Sequence, residues 1–108
     1  MIVRDFYQAY LKIVANPQLN VFFDQPYGLE LLFYLYFRQS DGLETSIDKI
    51  FFELTTPVPR REAFGRYLEN LASNGRIKKI SHSEKKSMKA VRLSDAVMTA
   101  VKSTVSKI

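Results

Sequence analysis

From Pro59 to Asp95 the chain passes through an arginine-studded helical stretch, an Asn74-Gly75 stop, a lysine-rich pair of short strands and a Leu93-Ser94-Asp95 restart. Phe64, Tyr67, Leu68 and Leu71 recur at helical spacing. Proline is tolerated in a first helical turn, where its missing N–H has no intrahelical partner, so the helix is predicted over about 59–74. Asn74-Gly75 supplies the left-handed residue that ends it. Two strands are expected at about 77–82 and 88–93, joined by Ser83–Ser87. Ser94 with Asp95 then caps a last helix over about 95–107.

Upstream, Val3, Phe6, Tyr7, Tyr10, Leu11 and Val14 predict a helix over about 3–16, stopped at Asn16-Pro17 because a residue before proline is pushed out of the α region. Residues 17–26 read as a loop. Val21, Phe22 and Phe23 within it are too apolar to be left in water, so they are expected to plug a gap or an interface. A helix over about 27–39 is apolar almost all round and needs partners on two faces, one of them expected to be a second copy of the chain. Ser40-Asp41-Gly42 breaks it. Thr45-Ser46-Ile47-Asp48 has the form of a capping box and opens a helix over about 46–54, with Ile47, Ile50, Phe51 and Leu54 inward. In the last helix Val97, Val101, Val105 and Ile108 form a narrow stripe, suited to packing against a partner chain.

At 108 residues, 46% of them hydrophobic and 25% charged, the chain is expected to form one globular domain, 1–108. The absence of cysteine excludes disulfides, thiolate nucleophiles and cysteine-ligated zinc, and fits a reducing compartment, so the cytoplasm is the expected location. The most apolar segment, Leu29–Phe37, contains Glu30 and is too short to span a bilayer. The net charge of +5 is unevenly placed. Residues 1–56 carry four cations against seven carboxylates, whereas residues 57–92 carry ten against three. A segregated basic block of this kind is the footprint of a polyanion-binding surface, with a solvated face as the plain alternative.

Helix, turn, helix, Asn-Gly, two strands, helix is the order of a winged helix-turn-helix. The expected fold is therefore mainly α with a small β-hairpin wing (α+β), with flanking N- and C-terminal helices for dimerisation. In such a fold the fourth helix enters a major groove while the hairpin reaches the neighbouring phosphates or the minor groove. With Phe64, Leu68 and Leu71 inward, Arg60, Arg61 and Arg66 fall on or beside the outer face. Arg61 and Arg66 are the candidates for base-edge or phosphate contact, because the guanidinium fork suits guanine and phosphate alike. Gly65 offers a place for close backbone approach. Lys85 and Lys86 at the hairpin tip suit phosphate rather than base discrimination, and Lys79, Lys89 and Arg92 extend the basic surface. Hairpin tips are also charged for solubility alone.

Arg66–Lys79, followed by Val91-Arg92-Leu93-Ser94, resembles the MarR family of bacterial transcriptional regulators. In that family an arginine of the recognition helix precedes a Leu-x-x-x-Gly-x-Ile turn, a basic residue opens the wing, and Leu-Thr or Leu-Ser caps the next helix. Arg66, Lys79 and Leu93-Ser94 fall on those positions. The resemblance implies a homodimer built by the first and last helices, acting on double-stranded DNA as a regulator of transcription, with repression the expected outcome. Phe6, Tyr10, Val14, Tyr34, Val101, Val105 and Ile108 are the interface candidates. Glu84-Lys85-Lys86 departs from the Asp-x-Arg motif usual in the family's wing, and the chain is shorter than typical members.

Other residues carry weaker chemistry. His82 has neither cysteine nor a second histidine to complete a metal site. The aromatics Phe6, Tyr7, Tyr10, Phe33, Tyr34, Tyr36 and Phe37 suit a core or dimer interface, with a pocket for a small aromatic effector as the alternative. Asp41, Glu44 and Asp48 sit at a turn and a helix start, where acids serve as caps. No serine, histidine and acid grouping or glycine-rich phosphate loop is present, so an enzyme is not expected, nor a metal, a cofactor or a membrane partner. The competing class is a winged-helix module that holds another protein, marked by an apolar exposed patch on the fourth helix. A third reading, binding to RNA or single strands, needs aromatics interleaved with the basic face. Tyr67 is the sole candidate for that role.

Overall fold

The structure is a computed structural model of the chain, and it describes residues 3–58, 60–81 and 89–105. Among these, helices α1 (Val3–Ala15), α2 (Gly28–Ser40), α3 (Ile47–Glu53) and α4 (Arg61–Ser73) precede strands β1 (Ile77–Ser81) and β2 (Lys89–Leu93), and α5 (Asp95–Val105) follows. β1 and β2 pair antiparallel, Ile77 opposite Leu93 through Ser81 opposite Lys89. This is the expected winged helix-turn-helix order, mainly α with a small hairpin.

One core joins the elements. Leu31, Leu32 and Leu35 of α2, Ile50 of α3 and Phe64, Leu68 and Leu71 of α4 are fully or almost fully buried. Ile77, Val91 and Leu93 from the hairpin close the same cluster, with Val97 and Val101 from α5. Removing apolar surface of this extent from water is the dominant favourable term for the fold.

The 17–26 segment is more ordered than a loop. Asn20–Asp24 forms a 3-10 helix that buries Phe22 completely, and Phe23 meets the Tyr10 ring edge-on, centroids 5.7 Å apart. It does plug a gap. At Gly28 a Cβ would fall 1.5 Å from the Phe22 carbonyl oxygen, so only glycine lets α2 start this close to the 3-10 helix. Tyr67 fastens the same place to α4 by donating from its hydroxyl to the Val21 carbonyl at 3.2 Å.

The helix ends show the chemistry behind the breaks. After α2 the Leu43 N–H donates to the Arg38 carbonyl (2.9 Å) and Gly42 to that of Gln39 (3.1 Å), with Gly42 at φ +74. After α4 the Arg76 N–H donates to Leu71 (2.8 Å) and Gly75 to Ala72 (3.1 Å), with Gly75 at φ +76. Both are Schellman terminations. The α3 cap lies one residue beyond the expected capping box: Ser46 Oγ accepts from the Lys49 N–H at 3.1 Å. Thr45 is buried instead, its Oγ1 accepting from Arg38 Nε (2.9 Å) and its carbonyl from the Val91 N–H (2.8 Å). That last bond, with the Ser46–Ala90 bridge, adds a short third pairing to the hairpin. Ser94 caps α5 as expected, accepting from the Val97 N–H at 3.3 Å.

One boundary and one interface assignment need correction, and some expected positions lie outside the described residues. α4 begins at Arg61, with Arg60 extended at the cap position (φ −140, ψ 127), and Pro59 lies outside the described residues. The wing tip, 82–88, and residues 106–108 lie outside them too. Val97 and Val101 are 0% and 1% exposed, so the core of the single chain takes up that part of the α5 stripe and Val101 does not face a partner.

Candidate nucleic-acid interface

α4 turns Phe64, Tyr67, Leu68 and Leu71 into the core, which leaves Arg61, Glu62, Arg66, Glu69 and Asn70 exposed on the opposite side with Gly65 half-exposed between them. α3 lies behind its N-terminal end. There Arg61 is ion-paired to Asp48 of α3, and its guanidinium lies over the Phe51 ring, 5.6 Å from the centroid. Phe51 in turn packs on Phe64 at 6.0 Å, so Arg61 is held against the α3–α4 joint. Arg60 is exposed one residue earlier. Arg66, by contrast, has no hydrogen-bond or ion-pair partner among the described residues, and it is exposed near the middle of α4.

The wing's cations divide between two faces. Pleating puts alternate residues on opposite sides of a strand, so Lys79 and Lys89 share a side with Ile77, Val91 and Leu93. Lys79 reaches from β1 to Glu69 of α4 and forms an ion pair that ties the base of the hairpin to that helix. Lys78 and Arg92 stand directly opposite each other on the reverse side, both exposed. The expectation that Lys89 and Arg92 extend one surface is thereby corrected, because an odd offset of three positions along β2 puts them on opposite faces. Lys85, Lys86 and His82 lie outside the described residues.

Arg76, half-buried, is engaged with backbone rather than free on the basic surface. Its Nη1 donates to the Asn74 carbonyl (2.6 Å) and its Nη2 to that of Pro17 (3.2 Å), while Nε is buried without a hydrogen-bond partner among the described residues. It is a strut between the end of α4 and the turn after α1.

Several polar residues that composition did not single out hold this frame. Both Glu30 carboxylate oxygens accept backbone N–H groups, from Thr55 (2.6 Å) and Thr56 (2.7 Å), and so shape the turn from α3 towards α4. Burial pushes the Glu30 carboxyl up, but these hydrogen bonds outweigh it and hold it below its ordinary value. Gln39 brackets the end of β2, its Oε1 accepting from the Leu93 N–H (2.8 Å) and its Nε2 donating to the Leu93 carbonyl (3.3 Å). Burial and the neighbouring Glu53 carboxylate, which accepts from the Tyr34 hydroxyl at 3.0 Å, push that hydroxyl up to about 12.

The interface candidates are distributed unevenly. Phe6, Tyr10 and Val14 lie exposed along one face of α1, together with Val3, Tyr7 and Leu11, and α1 packs against α5. Tyr34 is half-buried against α3. The Val105 side chain and Ile108 are outside the described residues. A cavity of about 140 Å³ opens between the C-terminal end of α2 and the hairpin, lined among others by Leu35, Leu43, Ile80 and Arg92 and by none of the aromatics expected to form an effector pocket. No cluster of metal-ligating side chains occurs among the described residues, and no helix among them is long and apolar enough to cross a membrane.

This arrangement defines a winged helix-turn-helix protein. No family model and no curated protein matches the chain. Among solved structures, it is similar to S. aureus MepR bound to ethidium bromide, at a TM-score of 0.67 and 18% identity, over 95% of this chain and 66% of that one. It is also similar to the heme sensor protein PefR in complex with heme and carbon monoxide, at 0.56 and 16%, over 96% and 63%. Both are winged-helix regulators of the MarR family, so the resemblance read from Arg66–Ser94 holds at the level of fold. The chain spans about two thirds of the length of these structures.

Proposed function

We propose that this protein is a homodimeric, sequence-specific regulator of transcription that binds double-stranded DNA and acts as a repressor by occluding promoter elements. The observation that carries the reading is the outward face of α4: Arg66 is presented to solvent there, with Arg60 exposed at the cap before the helix, while the hairpin stands beside the same helix through Lys79 and Glu69. α4 of each subunit enters one major groove, and each wing lies on the flanking backbone. Arg61 sits where the helix meets the first phosphates, already oriented by Asp48 and Phe51.

Dimerisation is supported by α1, whose exposed face carries Phe6 at 59% and Val3 at 85% accessibility beside Tyr7, Tyr10, Leu11 and Val14. Contiguous apolar surface of this kind marks an interaction site. The competing reading, a protein-binding module using α4, finds no support there, because no large hydrophobic residue of α4 is exposed. MepR bound to ethidium and PefR bound to heme make a small aromatic molecule the class of effector to try first.

Selection of bound duplexes from a random pool tests the reading. Enrichment of two inverted half-sites, centred about 10 base pairs or a multiple of that apart, is the expected result. A pool that stays random after repeated rounds contradicts it.

A further inference from the structure

The chain has four glycines, and three of them have a reason inside the fold. Gly42 and Gly75 occupy positive φ, and a Cβ at Gly28 would collide with the Phe22 carbonyl. Gly65 has none of these reasons. It lies in the interior of α4 without a positive φ, and a Cβ there would meet nothing within 4 Å. Glycine in a helix interior is destabilising relative to alanine, so a glycine that the chain's own packing does not require points to something approaching from outside.

The neighbours of Gly65 indicate what approaches. Arg66 adjoins it, and Asn70 follows Arg66 by four residues on the same exposed side. Neither side chain has a hydrogen-bond or ion-pair partner among the described residues, whereas Arg61 and Glu69 are engaged with Asp48 and Lys79. Arginine offers two parallel donors that match guanine O6 and N7, and asparagine offers a donor and an acceptor that match adenine N7 and N6. Four residues advance a helix by about 6 Å, and stacked bases are about 3.4 Å apart, so the two side chains reach bases about two pairs apart.

We propose that Gly65, Arg66 and Asn70 form the base-reading surface of α4: the bare backbone at Gly65 seats the helix deep in the major groove, Arg66 reads a guanine, and Asn70 reads an adenine about two base pairs away. The assignment rests on the DNA-binding reading above and specifies how that site selects sequence.

The test uses the full chain with Gly65→Ala, Gly65→Leu, Arg66→Ala and Asn70→Ala. Each is melted, titrated against the duplex selected by the wild type, and put through the same random-pool selection. Gly65→Ala raises the melting temperature by roughly 2–8 °C yet weakens binding to the selected duplex, and Gly65→Leu weakens it further. Asn70→Ala loses roughly 5- to 150-fold discrimination at one position, an adenine, and Arg66→Ala loses it at a guanine about two pairs away. A Gly65→Ala protein that binds the selected duplex as tightly as the wild type overturns the close-approach role. An Asn70→Ala protein that enriches the wild-type sequence unchanged overturns the base-reading role while leaving DNA binding intact. A wild type that binds no duplex overturns the underlying reading as well.

Discussion

Arg61 and Arg66 lie five residues apart on one helix and differ in every physical respect that matters for binding. Arg61 is neutralised in part by Asp48 and stacked over Phe51, whereas Arg66 is exposed with no ion-pair partner among the described residues. Arg66→Ala is therefore expected to change sequence preference with little effect on stability, while Arg61→Ala costs up to about 1 kcal/mol of stability, the range for a solvent-exposed pair, by urea unfolding. Glu30 carries a pH dependence. Its carboxyl is held below the unfolded value near 4.5, so its contribution is fully present above that pH and is lost as pH falls through the lower folded value. Glu30→Gln should unfold more easily than the parent at pH 7, by about 1 kcal/mol, and the gap should narrow in melts run at successively lower pH below the unfolded value, closing as the folded carboxyl is protonated. The sequence singles out Arg66 because an arginine before a Leu-x-x-x-Gly turn has a local signature. It cannot show that Arg76 turns inward or that Glu30 caps a turn 25 residues away, since both depend on where distant backbone atoms arrive.

At the scale of elements, local chemistry sets the helix ends. Gly75 at φ +76 ends α4 and aims the chain into β1, so Gly75→Ala should cost about 1 kcal/mol although a Cβ there meets nothing, because the cost lies in the backbone conformation. Urea unfolding measures it, with Gly65→Ala as the control of opposite sign. Those ends were legible in advance because Asn-Gly, Asp-Gly and Ser-Asp act within a few residues. The α3 cap was misplaced by one residue for the same reason. Thr45 and Ser46 are equivalent as local caps, and what decides between them is the hydrogen bond from Val91, 46 residues away, that draws Thr45 into the sheet. The division of the wing's cations also follows from register, which pairs Lys78 with Arg92 and sends Lys79 towards Glu69.

At the scale of the whole molecule, the described residues present two surfaces of opposite character: an apolar face along α1 and one rich in cations across α4 and the near side of the hairpin. In the proposed homodimer, built on the first, each subunit's copy of the second would take one half-site. Phe6→Glu combined with Val14→Glu should yield a folded monomer by sedimentation, with far weaker affinity for a two-half-site duplex, because the gain from binding both halves together is lost. Sequence periodicity marks the α1 face as apolar but cannot say that it lies exposed among the described residues. The most direct measurement is duplex affinity against salt concentration for the wild type, followed by fluorescence anisotropy. A dimer making about six phosphate contacts should lose on the order of a thousandfold in affinity between 50 and 200 mM salt, with a straight line in logarithmic coordinates. Affinity that stays flat across that range, or no binding even at the lowest salt, would contradict a DNA-binding role for α4 and the wing.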